Sequence, residues 1–187
     1  MNVLILHGSY GKPFENWFPW LESQLSDLGI DCVVPTFPTP NYQCYSDWAT
    51  LLDYYNRKGY LNNDTIVIGH SCGSIFAVKY IIDRNIHLKG IVTVSGYNNF
   101  KSGDSTMDAL NETFYRPRNG INRITTLTDL RYSFYSDNDP FIPITTLEEF
   151  AHDIDAQVIM VSNAGHFNAS SGFTTFEQLL DLLKSIN

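Results

Sequence analysis

The sequence predicts an α/β fold, in which a mostly parallel sheet of about six strands is covered by helices on both faces. Three observations lead there. Short β-rich runs recur at Val3–Leu6, Asp31–Val34, Thr65–Ile68, Gly90–Val94, Arg131–Ser136 and Gln157–Val161. Several are apolar without alternation, as strands buried on both faces must be. Helical patterns separate them, and strands alternating with helices imply right-handed crossovers between parallel neighbours.

Taken in order, Val3–Leu6 opens the chain as a strand. Trp17, Trp20, Leu21, Leu25 and Leu28 then share one helical face before Gly29, and Trp48, Leu51, Leu52 and Tyr55 share another before Gly59; both glycines fit helix ends. A helix-forming stretch starts near Ser74 behind the strand Thr65–Ile68. Further on, Leu147, Phe150, Ala151 and Ile154 repeat the helical spacing behind Thr145 and Glu148, as do Phe176, Leu179, Leu180 and Leu183 behind Thr174 and Glu177. Each Thr–Glu pair reads as a capping box. Two irregular passages remain: proline-rich Pro35–Tyr45, and Tyr97–Asp129 with one short helical pattern around Met107, Leu110 and Phe114. Ligands in such folds bind beyond the carboxyl ends of the strands, so both passages are expected to border a pocket.

A chain of 187 residues holds one substantial core, and residues 1–187 read as a single domain. With 43% hydrophobic and 17% charged residues, disorder is excluded. A net charge of −8 and the lack of any Lys/Arg run argue against nucleic acid as a partner. No apolar stretch approaches membrane-spanning length and no leader precedes the first strand, so no membrane association is expected. Cys32, Cys44 and Cys72 are odd in number and widely spaced, which suits a reducing, cytoplasmic location. Neither His-Glu-x-x-His nor Cys-x-x-Cys occurs, and no Gly-rich phosphate signature is present, so neither metal nor cofactor is expected.

Chemistry enters at Gly69-His70-Ser71-Cys72-Gly73. A bare Gly-x-Ser-x-Gly match is weak, with roughly one chance hit per sixteen chains of this length at about 7% each for Gly and Ser. This one lies between an apolar strand and a helix, which is the nucleophile elbow of an α/β-hydrolase. A serine hydroxyl needs a base to take its proton and a third group to orient that base. In α/β-hydrolases the acid and then the histidine follow the serine, each after a later strand. Asp139, in Asp137-Asn138-Asp139-Pro140-Phe141-Ile142-Pro143, fits the acid, and His166, in Gly165-His166-Phe167, fits the base. Asp137 is the competing acid; the family pattern of an Asp three positions ahead of an aliphatic-Pro pair selects Asp139.

Of the other histidines, His87 and His152 fall in helix-end or surface contexts, while His7 and His70 are placed to support the pocket floor by hydrogen bonds. An oxyanion formed at Ser71 would be met by the N–H of Cys72 at a helix N-terminus and by one from His7-Gly8-Ser9-Tyr10, with Ser9 the first choice and Tyr10 the second. The Cys72 side chain should point into helix packing rather than act as a nucleophile. Tyr10, Phe14 and Phe167 are candidates for the pocket wall, with Trp17 and Phe18 beside them, although the spacing of Trp17 and Trp20 suits core packing at least as well.

Together with Leu6-His7-Gly8-Ser9, Asn16-Trp17-Phe18-Pro19-Trp20-Leu21, Asp47-Trp48 and Val94-Ser95-Gly96, these motifs span nearly the whole chain. They resemble the small serine hydrolases of the retinoblastoma-binding protein nine group. That resemblance implies a reduced α/β-hydrolase fold, without the first antiparallel strands of larger members and with a minimal lid. It also maps a triad onto Ser71, Asp139 and His166. The resemblance further implies esterase-like or peptidase-like activity, and at least one member is associated with binding a partner protein. The expected activity is therefore cleavage of a small-molecule ester or amide through an acyl-enzyme. The alternative is a protein-binding module on a hydrolase scaffold.

Overall fold

In the computed structural model, which describes residues 1–187, all six predicted runs are strands. They are β1 (Asn2–Leu6), β2 (Asp31–Val33), β3 (Thr65–His70), β4 (Leu88–Val94), β5 (Thr128–Ser136) and β6 (Gln157–Val161). The sheet order is β2-β1-β3-β4-β5-β6, with every pair parallel. The central strands carry the non-alternating runs because both their faces are covered: Val3, Leu4, Ile5 and Leu6 are each 0% exposed. The edge strand β6 leaves Val158 and Met160 half exposed.

Helices cover the two faces as the crossovers require. On one side α1 (Phe18–Asp27) and α6 (Glu177–Ser185) bury Leu21, Leu25, Leu179 and Leu183 against Val3, Ile5, Ile66 and Ile68. On the other, α2 (Tyr45–Arg57), α3 (Cys72–Arg84) and α5 (Ile144–Asp153) pack Trp48, Phe76 and Phe150 against Leu4, Leu6, Val67 and Ile91. Gly29 and Gly59 end α1 and α2 with positive φ, as their positions suggested. No helix is long and apolar enough to cross a membrane.

Several local expectations are corrected. β4 and β5 begin earlier than their apolar runs, because Leu88 pairs with Thr128 across the sheet and the ladder carries polar Thr128 and Asp129 into the strand. The capping boxes do not form. α5 has Pro143 at its N-cap, which puts Thr145 and Glu148 inside the helix, and α6 begins only at Glu177, beyond reach of Thr174. Tyr97–Asp129 is more helical than it reads: α4 (Ser105–Glu112) is capped by Asp104, whose carboxylate accepts the N–H groups of Thr106 and Met107, and 3-10 turns follow at Arg118–Gly120 and Asn122–Thr126.

The sheet order reverses between β1 and β3, since the chain goes outward through β2 and returns to build β3 to β6 on the other side. Leu6 pairs with Gly69 at the ends of these strands, so the loops after β1 and β3 open side by side into the crevice where such folds bind ligands. Close approach there excludes side chains. A methyl on Gly73 would stand 2.4 Å from the Leu6 carbonyl oxygen and 2.6 Å from that of His7. Gly73→Ala is expected to lower the unfolding free energy by about 1–3 kcal/mol, read as a fall in the urea midpoint. Gly120→Ala, whose methyl meets nothing nearer than 3.6 Å, should shift the midpoint little.

Candidate active site

Ser71 lies between β3 and α3 with φ 55° and ψ −129°, a backbone conformation that residues with a Cβ rarely adopt. Its surroundings hold it there. The Ser71 N–H donates to the Val94 carbonyl at 2.9 Å, and the Ser74 hydroxyl donates to the Gly69 carbonyl at 2.7 Å. A methyl on Gly69 would come within 2.5 Å of Ser74 Cα, and one on Gly8 within 2.8 Å of Ser71 Cβ. The elbow is thus pressed against both its own helix and the loop after β1, and its hydroxyl is turned toward the crevice.

His166 follows β6 and Asp139 follows β5, and the two meet: His166 Nδ1 is 2.7 Å from Asp139 Oδ2. The other carboxylate oxygen accepts the N–H groups of Phe141 at 2.9 Å and Ile142 at 3.1 Å, which locks the Asp139 rotamer. Burial would push this carboxyl up, but the His166 ring and the two N–H donors outweigh it and hold it below the usual range. Asp137 is turned elsewhere, accepting the Asn163 N–H at 2.8 Å and so tying the loops after β5 and β6 together. Ser71 and His166 line the same cavity.

The remaining histidines sort as their contexts indicated. His7 Nε2 accepts the Phe37 N–H at 3.0 Å, so Nδ1 carries the proton and donates to the Gly8 carbonyl at 2.9 Å beneath the first loop. His70 Nε2 donates to the carbonyl oxygen of His166 at 2.8 Å, bracing the backbone that carries the candidate base. Its burial, with the nearby His166 adding to the effect, lowers the His70 pKa to about 3, so the ring stays neutral. His87 and His152 are exposed.

Of the candidate oxyanion donors, Cys72 N–H opens α3, and the Tyr10 N–H is taken by Thr39 Oγ1 at 2.8 Å. The Cys72 thiol is buried with its Sγ 3.1 Å from Ser9 Oγ; burial pushes it up to about 12, so it stays a thiol and no nucleophile. Gln43 and Asn111 form hydrogen bonds directly beneath Ser9, at 2.8 Å and 2.7 Å from its Oγ. Neither is visible in the sequence, because an amide side chain in an irregular segment carries no pattern that marks it as buried.

The cavity has a volume of about 590 Å³ and is walled by Tyr10, Phe18, Tyr97, Phe100, Tyr115 and Phe141. Two of the expected wall residues are elsewhere. Phe14 is 71% exposed on the outer turn before α1. Phe167, at φ 51°, turns its ring away from His166 and stacks it on Phe176 in the core at 5.1 Å. Trp17 is also core, its Nε1 donating to the Phe167 carbonyl at 3.0 Å. Pro35–Tyr45 backs the cavity through Thr39 and Gln43 without lining it, whereas Tyr97–Asp129 lines it through Tyr97, Met107 and Asn111.

The sequence profile of the Serine hydrolase family matches residues 3–185. The chain belongs to that family. This serine hydrolase is 28% identical over 185 residues to the YdeN protein of Bacillus subtilis (strain 168), covering 98% of the chain and 94% of its relative. It is 28% identical over 171 residues to the serine hydrolase RBBP9 of Rattus norvegicus, covering 91% and 86%. The crystal structure of the B. subtilis ydeN gene product superposes with a TM-score of 0.87 at 26% identity over 99% of this chain and 97% of that one. The fold of this serine hydrolase is that of an α/β-hydrolase, in the short form that the sequence predicted.

The neutral state of His70 has a consequence for stability. Between its ordinary value of 6.5 and about 3, the unfolded chain binds a proton that the folded chain excludes, so stability falls as pH drops through that window. The loss approaches about 1.4 kcal/mol per unit. His70→Gln is expected to flatten the decline in urea unfolding free energy between pH 6.5 and pH 4.5. A decline as steep as that of the wild type would assign the acid loss to another group.

Proposed function

We propose that this serine hydrolase cleaves carboxylic esters, and amides by the same route, through an acyl-enzyme on Ser71. The observation that carries the reading is the 2.7 Å contact between a buried, doubly hydrogen-bonded Asp139 and His166, which lines the same cavity as Ser71. Ser71 Oγ attacks the substrate carbonyl carbon while its proton passes to His166 Nε2. Asp139 holds the proton on Nδ1 and so keeps Nε2 free to accept. The carbonyl electron pair moves to oxygen, where the N–H groups of Cys72 and Ser9 receive it. Collapse expels the alcohol or amine, which takes the proton from His166, and water repeats the sequence to free the acid.

A cavity of about 590 Å³ suits a short or medium ester. It has no Lys or Arg in its wall, and Glu15, Asp104 and Asp108 line it, so it offers no counter-charge to an anionic substrate. All three cysteines are free, which fits a cytoplasmic setting.

Ser71→Ala is expected to lower ester turnover by at least about a thousandfold and to abolish labelling by a fluorophosphonate. Wild-type protein that takes no label would instead favour the protein-binding scaffold. His166→Ala should lower turnover about as far as Ser71→Ala does, because the Ser71 proton then has no base to accept it; retained turnover would remove His166 as the base.

A further inference from the structure

A chain of buried polar side chains runs beneath the first loop and ends at the candidate nucleophile. Thr39 Oγ1 accepts the Tyr10 N–H at 2.8 Å, and its hydroxyl donates to Gln43 Oε1. Gln43 Nε2 then donates to Ser9 Oγ at 2.8 Å and to Asn111 Oδ1 at 2.9 Å. The Ser9 hydroxyl also donates to Asn111 Oδ1, at 2.7 Å. With its oxygen so occupied, Asn111 points its amide nitrogen at Tyr97 and donates to the phenol oxygen at 3.2 Å. Every link runs in one direction. Gln43, Tyr97 and Asn111 are no more than 4% exposed, so water does not compete for them.

No link of the chain accepts the Tyr97 hydroxyl proton, and the oxygen beside it is Ser71 Oγ. Tyr97 lines the cavity, and its hydroxyl lies beside that of Ser71. Burial raises the phenol well above its ordinary value, so it remains a donor wherever the enzyme would work. Tyr97 is tied to the two residues whose N–H groups are the candidate oxyanion donors: Asn111 joins it to Ser9, and Ser9 Oγ touches Cys72 Sγ.

We propose that Tyr97 is a side-chain oxyanion donor, a third beside the two backbone N–H groups, with its hydroxyl aimed by the hydrogen-bond chain through Gln43 and Asn111. As Ser71 Oγ bonds to the carbonyl carbon and the π pair moves to oxygen, the Tyr97 O–H shares its proton with the developing charge and keeps it. Such a donor strengthens as charge accumulates, so it acts on kcat more than on ground-state binding. Asn111 is the positioning residue, since it acts only by occupying the phenol oxygen. Because Asn111 belongs to α4, the helix inserted after β4 would also hold part of the oxyanion site in place.

The inference rests on the acyl-enzyme reading, and Ser71→Ala tests that reading separately: retained turnover would remove both. With Ser71→Ala inactive, Tyr97→Phe decides the inference. Ester hydrolysis should lose on the order of 100-fold in kcat with KM within about twofold, rates being taken per competent site counted by fluorophosphonate titration. The affinity of a phenylboronic acid, which forms a tetrahedral anionic adduct on the serine, should fall by a similar factor. Asn111→Asp replaces the donor facing Tyr97 with an acceptor and draws the phenol proton away from Ser71. It should reproduce the kcat loss alone and add nothing in the Tyr97→Phe background. A Tyr97→Phe enzyme within about twofold of the wild type in kcat, or altered only in KM, would overturn the proposal; so would additive losses. The first result would mean that the amides run the opposite way and Tyr97 gives its proton to Asn111.

Discussion

The close passage of β1 against the β3–α3 turn is the constraint on which the rest of the site depends. At the point where the strand order reverses, two loops emerge from adjacent strands with almost no space between them. Ser71 is held there in a left-handed backbone conformation that a free chain would leave. It persists because the turn is determined from several sides at once: the Val94 carbonyl takes its N–H, Gly69 and Gly73 leave no side chain in the way, and Gly8 lets the neighbouring loop lie against its Cβ. The same closeness sets the loop after β1 directly against the Ser71 side chain.

Around that turn the protein buries His7, His70, Ser74, Ser95 and His166 and satisfies nearly all of their polar atoms. Ser95 Oγ is the one buried side-chain polar atom without a partner. His7 and His70 are neutral rings used as struts, each with a nitrogen hydrogen-bonded to backbone, and burial keeps them from charging. Asp139 is the opposite case, a buried carboxyl that stays charged because three donors converge on it. Burial acts against the charged form in both cases; the hydrogen-bond partners decide which groups overcome it.

The segment between β4 and β5 shows how a short chain builds a wall without a separate lid. Asp104 caps α4, Asp108 accepts the Ser102 N–H, and Tyr115 donates to the Phe100 carbonyl, so the segment carries much of its own order. Asn111 and Tyr97 then tie it to the floor of the cavity. The aromatic side chains facing inward supply apolar contact, and the acidic groups at Asp104 and Asp108 give that wall a negative character that matches the charge of the whole chain.

The sequence by itself determined the sheet, because burial on both faces imprints each central strand with an apolar run long enough to read. It also singled out Ser71 by its flanking glycines, Asp139 by the Ile142-Pro143 pair three positions on, and His166 by the glycine before it in the loop after the last strand. What it misjudged depends on where a helix starts or a ring turns: Pro143 displaced the cap read at Thr145, and the left-handed φ of Phe167 sent its ring into the core instead of the cavity. Gln43, Asn111 and Tyr97 were decided by the tertiary structure alone. Their meeting joins segments as far apart as 68 residues, and no local pattern of polarity records which buried amide will find which hydroxyl.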